Sequence, residues 1–209
     1  MGTILKALKI RIYPTPEQQV QINKTIGSCR FIYNSMLAEK IKNYESWKTS
    51  GQDKKVLYET KYKTEKEFKQ EFEWLKEVDS IALQQSRMDL SAAYQNFFKS
   101  LSGKRKGSSG FPKFHKKGRK DSYRTTITND NIKIDFQNSK VKLPKIDWII
   151  YRDLRKNIKG EIKQATVSRT CTGKYFVSLL FEQELKLDGV EINSNLKTKG
   201  LDMSIASFY

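Results

Sequence analysis

Asp202 is the residue of this sequence best suited to metal chemistry. It lies in Gly200–Tyr209, a short and mostly apolar run that is typical of a strand. A carboxylate buried on a strand is costly unless a metal ion, a cation or hydrogen bonds satisfy it. In enzymes that cut polynucleotides, such an aspartate holds Mg²⁺. One carboxylate does not make a metal site, and a capping or turn role is the alternative.

A second group of residues is suited to binding phosphate. Residues 103–124 contain nine Lys or Arg, His115 and a single acid, Asp121. Phe111, Phe114 and Tyr123 are interleaved with the cations and could stack on unpaired bases. The alternative is a solvated loop whose aromatic residues anchor it to the core. We call residues 103–120 the basic connector; the cations expected to neutralise phosphates are Lys104, Arg105, Lys106, Lys113, Lys116, Lys117, Arg119 and Lys120.

The composition of the whole chain agrees with this local cluster. There are 40 Lys and Arg against 23 Asp and Glu, which gives a net charge of +17. Nucleic acid is therefore the first candidate partner and an anionic membrane surface the second. No apolar run approaches the roughly 18–20 residues of a spanning helix. The N-terminus lacks the uncharged core of a signal peptide, so we expect a cytoplasmic, nucleoid-associated protein.

The two cysteines give no metal-binding or disulfide pattern. Cys29 and Cys171 lie far apart and no CxxC spacing occurs. We therefore expect two free thiols and no zinc site.

The elements that would position these residues change type along the chain. Lys6–Tyr13 alternates as a half-buried strand. Thr15, Pro16 and Gln18 then form a helix start with a capping box. An apolar stripe from Ile22 onward, with a possible kink at Gly27–Ser28, predicts that residues 15–101 form a small helical bundle. We expect the helical aromatics to be core residues: Tyr33, Tyr44, Tyr94, Phe97 and Phe98.

After the basic connector the hydrophobic period becomes two. Ile132–Leu143, Trp148–Tyr151 and a hairpin over Ile162–Glu182 read as strands, followed by a polar linker and a last strand at Lys199–Phe208. The first strand has no local partner, so we expect it to pair with this later sheet, which makes the helices an insertion.

Four stretches of the sequence, taken in order, carry a family resemblance. They are Lys9–Thr15 with Gly27–Asn34; Trp74–Asp79 with Ala82–Gln85 and Ala93–Phe98; Gly110–Phe114 with Ser122–Thr125 and Lys142–Lys145; and Gly200–Ile205. Together they resemble the TnpB proteins of insertion sequences, also called OrfB. Each piece alone is weak, whereas the order and spacing over the whole chain are specific.

The resemblance implies an RNA-guided DNA endonuclease with an α+β fold. A wedge-type β-barrel, here 1–13 and 121–186, would be interrupted by a helical recognition domain at 14–120. A linker at 187–198 would lead to the start of a RuvC-like domain at 199–209. The implied partners are guide RNA from the transposon end and target double-stranded DNA, with no membrane.

The resemblance also assigns roles to single residues. Gln84 and Thr128 align with positions that contact the target-adjacent motif, and Tyr123 and Arg124 join the nucleic-acid-binding set. A lysine position of the family is Ser80 here, and a tyrosine position falls near Val56.

Asp202 aligns with the first RuvC carboxylate, which binds Mg²⁺ in a complete site. The family's other two acids and its zinc ribbon would lie further C-terminal. We therefore expect a fragment, a prematurely ended copy or a portion of a longer protein, which needs no cofactor and cuts no DNA by itself.

Two other functions are compatible with the sequence. The chain could be a nuclease-dead DNA- or RNA-binding regulator, or a generic transposition protein whose helices act as a helix-turn-helix.

Overall fold

The computed structural model describes residues 2–51, 53, 61–118, 121–152 and 158–185. The linker at 187–198, the strand predicted at Lys199–Phe208 and Asp202 lie outside these residues. The elements are β1 (Gly2–Tyr13), α1 (Pro16–Ser50), α2 (Glu65–Glu71), a 3₁₀ turn (Glu73–Glu77), α3 (Ser80–Leu101), β2 (Ser122–Thr126), β3 (Lys133–Asp135), β4 (Lys140–Leu143), β5 (Asp147–Arg152), β6 (Glu161–Arg169) and β7 (Tyr175–Leu185).

The first strand lies inside the sheet built by the last ones. The seven strands found in the described ranges are ordered β2-β6-β7-β1-β5-β4-β3, and every neighbouring pair is antiparallel. β1 pairs with β7 from Gly2↔Leu185 to Ile12↔Tyr175, and its end also pairs with β5. The prediction that the first strand joins the later sheet is confirmed. The sheet is curled into a half-barrel with β2 and β3 as its edges.

Alternation along the strands places one face of the sheet in the core. Leu8, Ile10 and Ile12 of β1 are buried, as are Val177 and Leu179 of β7. The predicted hairpin between β6 and β7 is also present. Its turn is closed by the Thr170 amide, which donates to the Lys174 carbonyl at 2.9 Å, and Gly173 there has φ 77°. The left-handed conformation at this position favours glycine.

The start of α1 agrees with its sequence signals. The Gln18 amide donates to Thr15 Oγ1 at 3.3 Å, and the Thr15 amide donates to Gln18 Oε1 at 3.0 Å. The predicted apolar stripe is buried from Ile22 to Met36. The helix continues without interruption past Gly27–Ser28 to Ser50, where Gly51 ends it with φ 67°.

The helical aromatics correct one sequence-based expectation. Tyr33 is buried, but Tyr44 is 51% and Phe98 59% exposed. Both exposed residues lie near the C-terminal ends of their helices, where α1 and α3 extend beyond the surface that buries them. The helical pattern therefore continues further along the sequence than the core does.

One buried carboxylate joins α3 to the sheet. Asp79 caps α3, because its Oδ1 accepts from the Ile81 amide at 3.0 Å, and its Oδ2 accepts from the Thr125 hydroxyl on β2 at 2.5 Å. Both Asp79 and Thr125 are buried. The buried residues of the helices and the sheet form one continuous core. Within the described residues, no helix is both long and apolar enough to cross a membrane.

We expect Asp79→Ala to lower the free energy of unfolding by about 2–4 kcal/mol, because it removes a helix cap and leaves a buried hydroxyl without its acceptor. Urea unfolding of the wild-type and variant chains measures the difference. Glu73→Ala removes an exposed ion pair with Lys76 and is the control, with a change below about 0.5 kcal/mol. Equal effects of the two substitutions would contradict this role of Asp79.

Candidate nucleic-acid interface

The basic connector presents its cations to solvent. Residues 103–118 contain six cationic side chains in the described structure, and all six are exposed. None of them forms an ion pair with a described carboxylate. They are Lys104, Arg105, Lys106, Lys113, Lys116 and Lys117. Arg119 and Lys120, which were predicted to act with them, lie outside the described residues.

Two residues of α1 hold the middle of the basic connector in place. Asn34 Nδ2 donates to the His115 carbonyl at 3.0 Å, and the His115 amide donates to Asn34 Oδ1 at 2.8 Å. The His115 ring stacks on Tyr33 with 3.8 Å between the ring centroids. An amide side chain that pairs with both backbone groups of one residue acts like a short piece of sheet. The segment is thus fixed although it forms no helix or strand.

The predicted stacking aromatics fall into two groups. Phe111 is 45% and Phe114 49% exposed, so each offers part of a ring face to a ligand. Phe111 also packs edge-on against Tyr94 and Phe97, at 5.5 and 5.4 Å. Tyr123 is only 4% exposed, and burial raises the pKa of its hydroxyl well above the ordinary value. Its ring cannot stack on a base in this conformation, because it points into the core from β2.

The end of the basic connector is held by Asp121, a carboxylate that is 8% exposed. Arg169 Nη2 of β6 lies 2.7 Å from Asp121 Oδ2, the Gly118 amide donates to Oδ1 at 3.0 Å, and Arg30 Nη1 of α1 lies 3.6 Å from Oδ1. Burial opposes ionisation, but the hydrogen bonds from Arg169 and Gly118 and the charge of Arg30 together lower the pKa of this carboxyl. One ionised carboxylate therefore joins α1, β6 and the basic connector. We call this group of contacts the Asp121 clamp.

Arg124 is partly committed to the protein itself. Its Nη2 lies 2.6 Å from Asp89 Oδ1 on α3, and its buried Nε has no hydrogen-bond partner in the described structure. Behind it, a cavity of about 210 Å³ is lined by residues of α1, α3 and β2, among them Cys29, Gln85 and Asp89. A phosphate at Arg124 would have to share the guanidinium with Asp89.

The predicted motif-reading residues are both exposed but lie on different elements. Gln84 is on the second turn of α3, and Thr128 is in the loop after β2, where its amide donates to Asn131 Oδ1 at 2.8 Å. The Asp79–Thr125 hydrogen bond connects the two elements that carry them. Ser80 is exposed and accepts a hydrogen bond from Lys69 Nζ. Val56 and Asp202 lie outside the described residues.

The cysteines and acids give no metal centre among the described residues, where no group of three His, Cys, Asp or Glu could hold an ion. Cys29 and Cys171 are free thiols. Burial is the main cause that raises the pKa of Cys29 to about 12, so this thiol is unreactive at neutral pH.

The sequence did not identify the residues that hold the connector. Asn34 bonds the backbone of His115. Arg30 and Arg169 both contact Asp121, which is distant from each of them in sequence. Asn34 and Arg30 belong to the stretch Gly27–Asn34 that carries part of the family resemblance, and that stretch was the available signal.

The chain is similar to known proteins of one family. A family model described as a helix-turn-helix domain, of the OrfB type of IS605, matches residues 1–49. InsQ of Escherichia coli (strain K12), whose name proposes an RNA-guided DNA endonuclease, is 34% identical over 205 residues, which are 97% of this chain and 46% of InsQ. This chain belongs to the TnpB family.

Two other relatives are also similar to this chain. A Streptomyces pristinaespiralis protein with the same proposed activity in its name is 32% identical over 191 residues, which are 88% of this chain and 43% of that protein. The virulence protein VsdF of Salmonella dublin is 37% identical over 100 residues, which are 46% of this chain and 83% of VsdF. The chain spans about half the length of the two endonuclease relatives.

The matched helix-turn-helix region has a different local structure here. Residues 2–50 form one strand and one uninterrupted helix of 35 residues. Two helices joined by a turn are not formed within this part of the TnpB-family chain.

We expect Asp121→Asn to lower the free energy of unfolding by about 1–3 kcal/mol near neutral pH, because Arg169 loses its ionised partner. A carboxyl whose pKa is lowered by folding contributes stability above its unfolded pKa of about 4, and loses it as pH falls through the folded pKa. The difference between wild type and variant should therefore be constant above about pH 5 and shrink below about pH 4.

Urea unfolding at several pH values measures this difference. Asp89→Asn is the matched control, since it removes a half-exposed Asp–Arg pair with Arg124 and should cost less than about 1 kcal/mol. If the two variants lose the same stability at every pH, the Asp121 clamp does not contribute as described.

Proposed function

We propose that this chain is the nucleic-acid-binding part of a TnpB-type RNA-guided DNA endonuclease. In this proposal it binds guide RNA and the guide–target heteroduplex, and it reads a short duplex motif beside the target. The observation that carries the proposal is the basic connector, whose six exposed cations have no described acidic partner while its backbone is fixed by Asn34 and the Asp121 clamp. The names of two relatives support the class of ligand.

The geometry is suited to contact with phosphates. A fixed loop with outward cations neutralises a nucleic-acid backbone without paying to order itself on binding. Such contacts position a duplex and carry no sequence information. In an RNA-guided enzyme this is sufficient for most of the interface, because base pairing with the guide reads the target.

We propose that Gln84 and Thr128 contact the bases of the target-adjacent motif directly. A glutamine amide can pair with an adenine edge through two hydrogen bonds. Gln84 is exposed on α3, and no hydrogen bond of its side chain occurs within the described structure. The same proposal assigns residues 1–13 and 121–186 to a wedge-type barrel and 14–120 to a recognition domain. Residues 199–209 would begin a RuvC-like domain, in which Asp202 would bind Mg²⁺ together with further acids.

Binding through the basic connector predicts a specific salt dependence. We expect the triple variant Lys113→Ala, Lys116→Ala, Lys117→Ala to bind RNA and DNA more weakly. The slope of log affinity against log salt concentration should fall by about 2, because each phosphate contact contributes about 0.7–0.9 to it. Fluorescence anisotropy at several salt concentrations measures both quantities.

The matched control is the triple variant Lys42→Ala, Lys48→Ala, Lys66→Ala. It removes the same charge from exposed positions of α1 and α2. If both triple variants change the slope equally, binding reflects net charge and the basic connector is not the interface.

A second experiment concerns the activity of the 209-residue chain. We expect it to bind DNA together with RNA but to leave supercoiled DNA uncut in the presence of Mg²⁺, because Asp202 is the one RuvC carboxylate that the resemblance assigns within it. A plasmid-nicking assay measures this. Metal-dependent nicking that disappears in Asp202→Ala would contradict the expectation.

One observation favours a second candidate function, namely the match of residues 1–49 to a family model described as a helix-turn-helix domain. In that case the chain would bind a duplex sequence without RNA. Selection of binding sites from random duplexes separates the two functions, since enrichment of one sequence by the protein alone would support the second.

A further inference from the structure

The face of the sheet opposite the core carries a group of cationic and aromatic side chains that no predicted site includes. These residues alternate with buried ones on β1, β4, β5 and β7, so the pleat places them together on the other face. We call this group the outer sheet face. It comprises Lys9, Arg11, Tyr13, Lys140, Lys142, Trp148, Ile150, Arg152 and Phe176.

The strand register makes this group contiguous. Arg11 of β1 lies opposite Arg152 of β5 on one side and Phe176 of β7 on the other. The row beside it continues through Tyr13↔Ile150.

From Ile150 the group continues onto β4. Lys140 lies opposite Ile150, and Lys142 lies opposite Trp148. The cations and rings therefore occupy neighbouring positions on four adjacent strands.

The rings and cations of this face are in contact but remain accessible. The guanidinium carbons of Arg11 and Arg152 lie 4.9 and 5.5 Å from the centroid of the Tyr13 ring. Tyr13 is 40%, Trp148 39% and Ile150 55% exposed. Large apolar groups at this exposure, surrounded by cations, are typical of surfaces that stack on bases.

The pairing of Arg11 with Arg152 is the observation that most favours an anionic ligand at this face. Like charges directly opposite each other on neighbouring strands destabilise a sheet. Neither guanidinium forms an ion pair with a carboxylate in the described part of the chain. A phosphate between them would convert this repulsion into two charge-assisted hydrogen bonds.

The opposite end of the same sheet carries paired charges of both signs. There Leu5 lies opposite Glu182, and Glu161 lies opposite Glu182 on the next strand. Lys163 Nζ is 2.6 Å from Glu182 Oε2 and 3.1 Å from Glu161 Oε2, so this cation is already paired. A polyanion would therefore be attracted more strongly to the end with Arg11 and Arg152 than to the end where Lys163 is paired with Glu161 and Glu182.

We propose that the outer sheet face binds an unpaired single strand of nucleic acid. Bases would stack on Tyr13 and Trp148, which are diagonal neighbours about 7 Å apart across two strands. Phosphates would contact Arg11, Arg152 and the β4 lysines. This goes beyond the proposed function, which places the contacts at the basic connector and α3.

Anisotropy titrations of the whole chain with labelled 12-nucleotide rU, 12-nucleotide dT and a 12-base-pair duplex test this proposal. We expect Tyr13→Ala, Trp148→Ala to weaken single-strand binding by at least about 30-fold, as for loss of two stacked bases. Duplex binding should change by less than about twofold, because paired bases offer no free faces to these rings. The rU and dT titrations show which single strand is preferred.

The matched control is Tyr44→Ala, Trp47→Ala, which removes the same two ring types from the exposed end of α1. It should leave single-strand binding unchanged. Circular dichroism of all variants checks that they are folded.

A crosslinking experiment needs no variant. Ultraviolet crosslinking of the wild-type chain to rU, followed by peptide mapping, should label peptides that contain Tyr13 or Trp148. Labels confined to residues 103–118, or equal binding by both double variants, would overturn the proposal.

The triple variant of the basic connector separates this proposal from the proposed function. If single-strand binding survives in that variant but duplex binding is lost, the two surfaces act independently. If single-strand binding is lost in the connector variant and unchanged in the outer-sheet variant, only the connector proposal stands.

Discussion

The ion pair between Asp121 and Arg169 holds the end of the basic connector against β6. A cationic loop tends to move away from a cationic protein, and the net charge of +17 makes this repulsion considerable. The Asp121 clamp opposes it with a single buried negative charge that faces two arginines and a backbone amide. Because these partners come from α1, β6 and the connector itself, one carboxylate determines how three parts of the chain meet. Because the Asp121 carboxylate is bound by Arg169, Arg30 and the Gly118 amide, it does not neutralise the exposed lysines of the connector.

Two buried aspartates join helices to the sheet, and they differ in the groups that bind their carboxylates. Asp79 is satisfied by neutral donors, namely one amide and one hydroxyl. Asp121 is satisfied mainly by cations. The first fixes the start of α3 against β2, and the second fixes the connector against α1 and β6. Together they attach α3 and the connector to β2 and β6, the two strands at one edge of the sheet.

The sequence was most informative where a local rule determines structure. The capping box of Thr15 and Gln18, the apolar stripe of α1 and the hairpin of β6 and β7 depend on neighbours within a few residues, and all three were predicted. Tyr123 was misjudged because β2 is short and polar on both faces, so alternation gave no indication of which side is buried. Tyr44 and Phe98 were misjudged because a periodic pattern does not reveal where the core ends.

The contacts that make the candidate surfaces are non-local. Asn34 meets His115, and Arg11 meets Arg152, across separations that no sequence period encodes. The pairing of the first strand with the later sheet could be inferred from its lack of a local partner. The register could not, and the register is what places two arginines side by side.

The position of β1 in the sheet also affects the order in which parts of the chain can fold during synthesis. Leu8, Ile10 and Ile12 are synthesised among the first residues, whereas their partners on β7 begin at Tyr175. At roughly 5–20 residues per second, translation takes on the order of 10–30 s to span this interval. Helices form within microseconds, so α1 and α3 can be complete long before the sheet closes. During that interval the apolar residues of β1 lack their β7 partners, and the lysines and arginine at positions 6, 9 and 11 are the charges that oppose aggregation of this segment on the ribosome.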